Sequence, residues 1–157
     1  AVGGTCLAAR LALEHGAAVN LAGGSHHAGP KGGAGFCVFN DVAVAALLLL
    51  QEGAVRRVAV VDCDVHHGDG TALILGAEPR AFYNAGVDPH VDDRLGLLSL
   101  SDEGLAARDR YVAEACASYG VPLCAVLGGG YSSDASAVAR RHCGLVESFL
   151  ATRVSRP

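Results

Sequence analysis

The residues equipped for chemistry are concentrated in VVDCDVHHGDG, positions 60–70, where a β-branched run ends in alternating acids and histidines. In an extended strand side chains two apart share a face, so Asp62, Asp64 and His66 are expected to point the same way from the strand's carboxyl end. Carboxylates beside an imidazole chelate a borderline divalent cation such as zinc and leave room for further ligands and a water. Desolvating three such groups at the end of an apolar strand is costly, and a bound cation offsets that cost. For any one of them alone, the alternative is a loop turning into solvent, with Asp62 or Asp69 capping the next helix.

A second cluster lies in the glycine-rich stretch GGSHHAGPKGGAGFC, positions 23–37, with adjacent His26 and His27. Glycine lets a backbone approach a ligand closely or adopt positive φ. A phosphate-cradling loop is the rival reading, but neither GxGxxG nor GxxxxGK[ST] is present. Two further polar groups stand beyond apolar runs: Asp88 in AGVDPHVDDRLG, positions 85–96, and Tyr131 in GGGY, positions 128–131.

The elements that must position these groups can be read from periodicity and punctuation. Helical spacing runs from Gly3 to His15 with Gly16 as its stop, followed by a short strand over Ala17 to Leu21. Asn40 or Asp41 caps an almost wholly apolar helix to Glu52, and Gly53 ends it. Val58 to Asp62 is expected as the central strand, followed by a helix from about Gly70 to Leu75 and a strand over Arg80 to Asn84. Ser101 caps a helix from Asp102 to Tyr119 that is expected to bury Leu105, Val112, Cys116 and Tyr119. Leu123 to Leu127 is the last strand, and Ser132 or Ser133 starts a final helix to about Leu150. Strands alternating with helices predict a three-layer α/β domain, a parallel sheet covered on both faces. Open sheets of this kind place ligands beyond their strands' carboxyl ends, where all four polar clusters fall.

The bulk numbers bound the rest. The chain has 157 residues, 51% of them hydrophobic, enough for a core in one domain, and with aromatics at 5% that core must be built of Ala, Val, Leu and Gly. A net charge of −4 without a basic run argues against a nucleic-acid backbone as partner. Six cysteines without CxxC spacing are expected to be buried thiols in a reducing, cytoplasmic compartment. The longest apolar run, near Val42 to Leu50, is too short to span a bilayer. No start methionine or helix cap precedes Ala1, so a truncated chain is expected.

Taken together, GGSHHA, GFCVFNDVAVA, VDCDVHHGDGT, NAGVDPHVDDRLG and GGGY resemble, in order, the successive signatures of the histone deacetylase family, which shares its fold with arginase. The resemblance implies a zinc ion held by Asp64, His66 and Asp88, and paired histidines His26 and His27 backed by Asp62 and Asp69. It also implies Tyr131 as the residue that polarises the substrate carbonyl, and Gly35 and Phe36 as lining of an acyl-lysine tunnel. The implied reaction is hydrolysis of an acetylamide, with acetyl-lysine or an acetylpolyamine as substrate. His27 would carry the proton from water to the leaving amine, and His26 would give electrostatic support. Tyr131 makes the chain similar to tyrosine-type, bacterial-like deacetylases and acetylpolyamine amidohydrolases. His67 has the chemistry of a ligand, but the resemblance leaves it out of the zinc's ligands; His15, His90 and His142 are left as surface residues.

Family domains are longer, and the resemblance implies two missing blocks. One precedes Ala1; the other falls near Arg80 to Tyr83, where PRAF resembles the start of one family strand and FYNAG the end of a later one. The internal block would carry ligands of a structural potassium ion and an aromatic wall opposite Phe36, so an incomplete potassium site and a half-open tunnel are expected. The chain is then a single partial domain over 1–157, reduced to the central strands of the arginase/deacetylase-like sheet. Exposed sheet edges predict self-association. The alternative to an enzyme is a non-catalytic remnant that binds metal weakly.

Overall fold

Helix α1 (Val2–His15) stops at Gly16, whose φ of 85° suits glycine, and the chain passes directly into strand β1 (Ala17–Asn20). A computed structural model describes residues 1–76 and 83–154. Asn40 caps α2 (Asp41–Gln51) by accepting from the Ala43 N–H. After it come β2 (Val61–Asp62), α3 (Asp69–Leu75), β3 (Tyr83–Asn84), α4 (Asp102–Ser118), β4 (Leu123–Val126) and α5 (Ala135–Val154).

The sheet order is β1-β4-β3-β2 and every pairing is parallel, with Ala17 opposite Leu123, Tyr83 opposite Ala125 and Val61 opposite Tyr83. Strand β4 shows how the layers close. Cys124 and Val126 pack into one cluster with Ala8, Ala12, Val42 and Leu49 of α1 and α2. Leu123 and Ala125, on the alternate face, pack with Ala113, Leu145 and Phe149 of α4 and α5. The strand is buried on both sides, the expected three-layer arrangement. Among the described residues no helix is long and apolar enough to cross a membrane.

Several sequence expectations need correction. The run Val58–Asp62 is not central: only Val61 and Asp62 form a ladder, at the sheet's edge, and Val61 is 41% exposed. The alternative of a central place required a partner on its outer side, and none stands there among the described residues. Tyr119 is exposed because α4 ends one residue earlier and its last turn leaves the buried face, while Val112 and Cys116 are half-buried. The last helix is capped by Asp134, not by either serine: its Oδ1 accepts from the N–H groups of Ser136 and Ala137. Of the six free cysteines only Cys6 and Cys124 are buried, and burial pushes the Cys124 thiol up to about 12. The expected junction near Arg80 to Tyr83 lies almost wholly outside the described residues, which resume at Tyr83.

Candidate active site

Strand β2 ends at Asp62, and the residues after it bend instead of extending. Asp62 Oδ1 accepts from the Asp64 N–H (3.1 Å) and Asp64 Oδ1 from the His66 N–H (2.9 Å). This is the local pattern by which aspartate diverts a backbone from strand pairing. The acids therefore converge through successive turns, and not through the strand pleat that their alternation suggested.

Asp64, His66 and Asp88 meet, each offering a ligand atom within 4.8 Å of the others. The Asp64 and Asp88 side chains are 2% and 0% exposed, and His66 Nδ1 lies 3.1 Å from Asp64 Oδ1 and 2.9 Å from Asp88 Oδ2. Burial, with the charge of Asp64 beside it, pushes the Asp88 carboxyl up to about 6. Burial acts on Asp64 too but is outweighed by N–H donors from Gly129 (2.7 Å) and His66, which hold its pKa below the usual carboxylate value. A Cβ on Gly129 would come within 2.1 Å of Asp88 Oδ2, so the GGGY backbone lies directly against the acid. Two buried like charges and one imidazole aimed at a common point are the donor set of a borderline divalent cation, and the residues fit one.

Both paired histidines are tied to carboxylates. His26 Nδ1 lies 2.7 Å from Asp62 Oδ2, and His27 Nδ1 lies 2.9 Å from Asp69 Oδ1 at the start of α3. With Nδ1 engaged, Nε2 is the nitrogen left for chemistry. Burial opposes the charged form of His26, yet the hydrogen bond to Asp62 and the charges of Asp62, Asp64 and Asp88 carry its pKa above the ordinary histidine value. The rings run in a line across the site: His26 to His27 at 4.3 Å, His27 to His66 at 5.9 Å, and His66 edge-on to Tyr131 at 5.8 Å. Burial first, then the charges of Asp64 and Asp88, raises the Tyr131 phenol pKa, so its oxygen keeps the proton it can donate.

Gly35 has φ 51°, and a Cβ there would fall 2.4 Å from His27 Cδ2. Its backbone thus rests on the imidazole. Phe36 follows with a positive φ of 62° and 95% exposure, standing in solvent beside the site. His67 and His15 are exposed. His90 and His142, expected on the surface, are not there. His90 is 4% exposed, with Nε2 3.2 Å from Asp102, and the His142 Nδ1 is buried without a hydrogen-bond partner among the described residues.

Sequence reasoning missed the residues that hold these groups. Asn40, besides capping α2, donates through Nδ2 to the carbonyls of His26 and Ala28 and to Thr71 Oγ1, which fixes the histidine loop. Asn84 Nδ2 donates to Asp62 Oδ1 at 3.1 Å, keeping that acid turned toward His26. Arg108 on α4 donates through NH1 to the carbonyls of Gly86 (2.7 Å) and Cys63 (3.3 Å), one in each loop that carries an acid of the metal cluster. A capping signal marked Asn40; nothing in a single sequence marks Asn84 or Arg108 as different from other polar residues.

A sequence model of the histone deacetylase domain matches residues 1–84 and 79–146. The chain belongs to the histone deacetylase family. This deacetylase-family chain is 37% identical over 195 positions to an uncharacterized protein of Picosynechococcus sp., covering 90% of this chain and 65% of that one. It is 28% identical over 193 positions to histone deacetylase 2 of Arabidopsis thaliana, covering 87% of this chain and 50% of that one. It is also 47% identical over 73 residues to the acetoin utilization protein AcuC of Staphylococcus aureus, covering 45% of this chain and 18% of that one. The deacetylase-family chain thus spans about half to just under two thirds of the length of the first two relatives. Among solved structures, the acetylpolyamine aminohydrolase of Burkholderia pseudomallei superposes with a TM-score of 0.78 at 19% identity, covering 94% of this chain and 61% of that one. The HDA15 HD domain superposes with 0.77 at 18% identity, covering 96% and 62%. At that identity these two speak for the fold.

Proposed function

We propose that the chain hydrolyses the acetyl amide of an acetylated amine, an acetyl-lysine side chain or an acetylpolyamine, with zinc or another divalent ion held by Asp64, His66 and Asp88. The observation that carries this reading is the enclosure of the three-ligand cluster by two His–Asp pairs and a protonated phenol. Family membership supports the reaction class, and the names of the deacetylase and aminohydrolase relatives support the substrate class.

When bound, the ion supplies Lewis-acid polarisation of the acyl carbonyl and of the attacking water. The protein's own groups do the rest. His27, fixed through Nδ1 by Asp69, takes the water's proton at Nε2 and returns it to the departing amine nitrogen. The Tyr131 hydroxyl donates to the carbonyl oxygen as negative charge develops there. His26, held by Asp62, adds positive potential behind His27. Gly35 and Phe36 border the path of the acyl-lysine chain.

The test is turnover of a fluorogenic acetyl-lysine peptide and of an acetylated diamine by zinc-loaded protein. His27→Ala is expected to lower kcat by on the order of 10²- to 10⁴-fold with zinc content unchanged. A folded, zinc-loaded protein that turns over neither substrate would sink the reading.

A second reading is favoured by strands β1 and β2 each being laddered on one side only among the described residues. In it the chain is a remnant that binds metal weakly and self-associates through its bare edges. Zinc well below one equivalent, with concentration-dependent light scattering, would select it over the hydrolase.

A further inference from the structure

Tyr131 lies in irregular chain: three glycines precede it, two serines follow, and α5 begins only at Ala135. Such a stretch has no ladder or helix to set its backbone. Two consecutive residues from another loop do so. Asp93 Oδ2 accepts from the Tyr131 N–H at 2.6 Å, and Arg94 Nε donates to the Tyr131 carbonyl at 2.9 Å. One bond falls on each of the two peptide groups that flank the Tyr131 Cα, so both of its backbone torsions are constrained and only the side-chain torsions remain free.

The loop that supplies these contacts is itself well determined. Asp93 Oδ1 accepts from the N–H groups of Leu95 (2.9 Å) and Gly96 (2.8 Å), and the Asp93 N–H donates to the His90 carbonyl. Gly96 then packs back on the start of the loop, where a Cβ would come within 1.9 Å of the Asp88 carbonyl. The loop therefore begins at one acid of the metal cluster and returns to it.

We infer that Asp93 and Arg94 are positioning residues for Tyr131: by gripping its two peptide groups they set the phenol against the Asp64–His66–Asp88 cluster. The inference rests on the proposed hydrolase reading for its effect on rate, but not for its effect on structure. Misplacing a reacting group by about 1 Å costs on the order of 10²-fold in rate.

Asp93→Asn separates the two jobs of this side chain. Its amide oxygen keeps the turn to Leu95 and Gly96, whereas its NH₂ cannot accept from the Tyr131 N–H. The expected result is a fall in kcat of roughly 10- to 100-fold, with KM and zinc content unchanged, and no further fall when the substitution is made in Tyr131→Phe. A loss of equal factor in the Tyr131→Phe background would overturn the inference. Fluorine NMR of 3-fluorotyrosine-labelled protein gives a readout that needs no turnover, the Tyr131 line being assigned by its loss in Tyr131→Phe. The line should shift or broaden in both Asp93→Asn and Arg94→Ala, and a line unchanged in both would also overturn the inference. Wild-type protein without turnover would remove the hydrolase reading and leave the fluorine line to decide this one.

Discussion

Asp88→Asn is expected to stabilise the metal-free protein at pH 7 and to abolish its stabilisation by zinc. Asp88 is fully buried beside Asp64, and its carboxyl is pushed up to about 6 from an ordinary value near 3.8. A carboxyl whose pKa is raised on folding favours the folded state below its unfolded pKa, and that contribution is lost as pH rises through the folded one. At pH 7 the ionised Asp88 is therefore a cost to the metal-free fold, which the isosteric amide does not carry. The gain should be about 1–3 kcal/mol at pH 7 and should vanish near pH 4, as read by thermal melts in chelator. With zinc the order reverses. The wild-type protein should gain about 4 kcal/mol at a thousandfold excess over Kd, and the variant, left with one carboxylate and His66, should gain almost nothing and lose turnover. An equal rise in Tm with zinc for both proteins would show that the ion sits elsewhere.

Arg108→Met should cost about 3–5 kcal/mol, a large part of the stability of a domain this size. Its guanidinium donates to Asp109 Oδ1 through Nε (2.9 Å) and NH2 (2.8 Å), and the buried Tyr83 hydroxyl donates to the same oxygen. Burial, more than the neighbouring charges, raises the Tyr83 phenol pKa far above its usual value, so its proton stays in that hydrogen bond. Removing the arginine leaves Asp109 buried without its counter-charge and frees the carbonyls of Cys63 and Gly86. Urea denaturation of metal-free protein measures the loss, and adding Asp109→Asn to the variant should recover part of it. A cost under about 1 kcal/mol would mean that the ion pair is dispensable.

The layers and most elements were legible in the sequence because their signals are local. Gly16, Asn40 and Ser101 mark ends that the structure keeps, and the apolar runs between them alternate as a covered parallel sheet requires. Strand position was less legible. The apolar run before Asp62 reads as a central strand from its composition alone, yet its place at the edge is set by which other strands are present, and that is not a property of the run. At the site, the residue types at 26, 27, 62, 64, 66, 69, 88 and 131 declared themselves through spacing and resemblance. Their supports did not: Asn84, Asp93, Arg94 and Arg108 act through hydrogen bonds to residues 22 to 45 positions away. His90 shows the same limit, since only the fold brings it to Asp102, which Arg141 also engages.

The strand order has a consequence for how the protein is made. Strand β4 lies between β1 and β3, and among the described residues β1 reaches the rest of the sheet through it alone, with Ala17 waiting for Leu123. On the ribosome the His–Asp contacts can already link the histidine loop to the loop after β2, but the sheet beneath them cannot close until β4 emerges. Synthesis arrested before residue 123 should yield nascent chains that neither collapse cooperatively nor retain zinc, and metal loading should be a post-translational event.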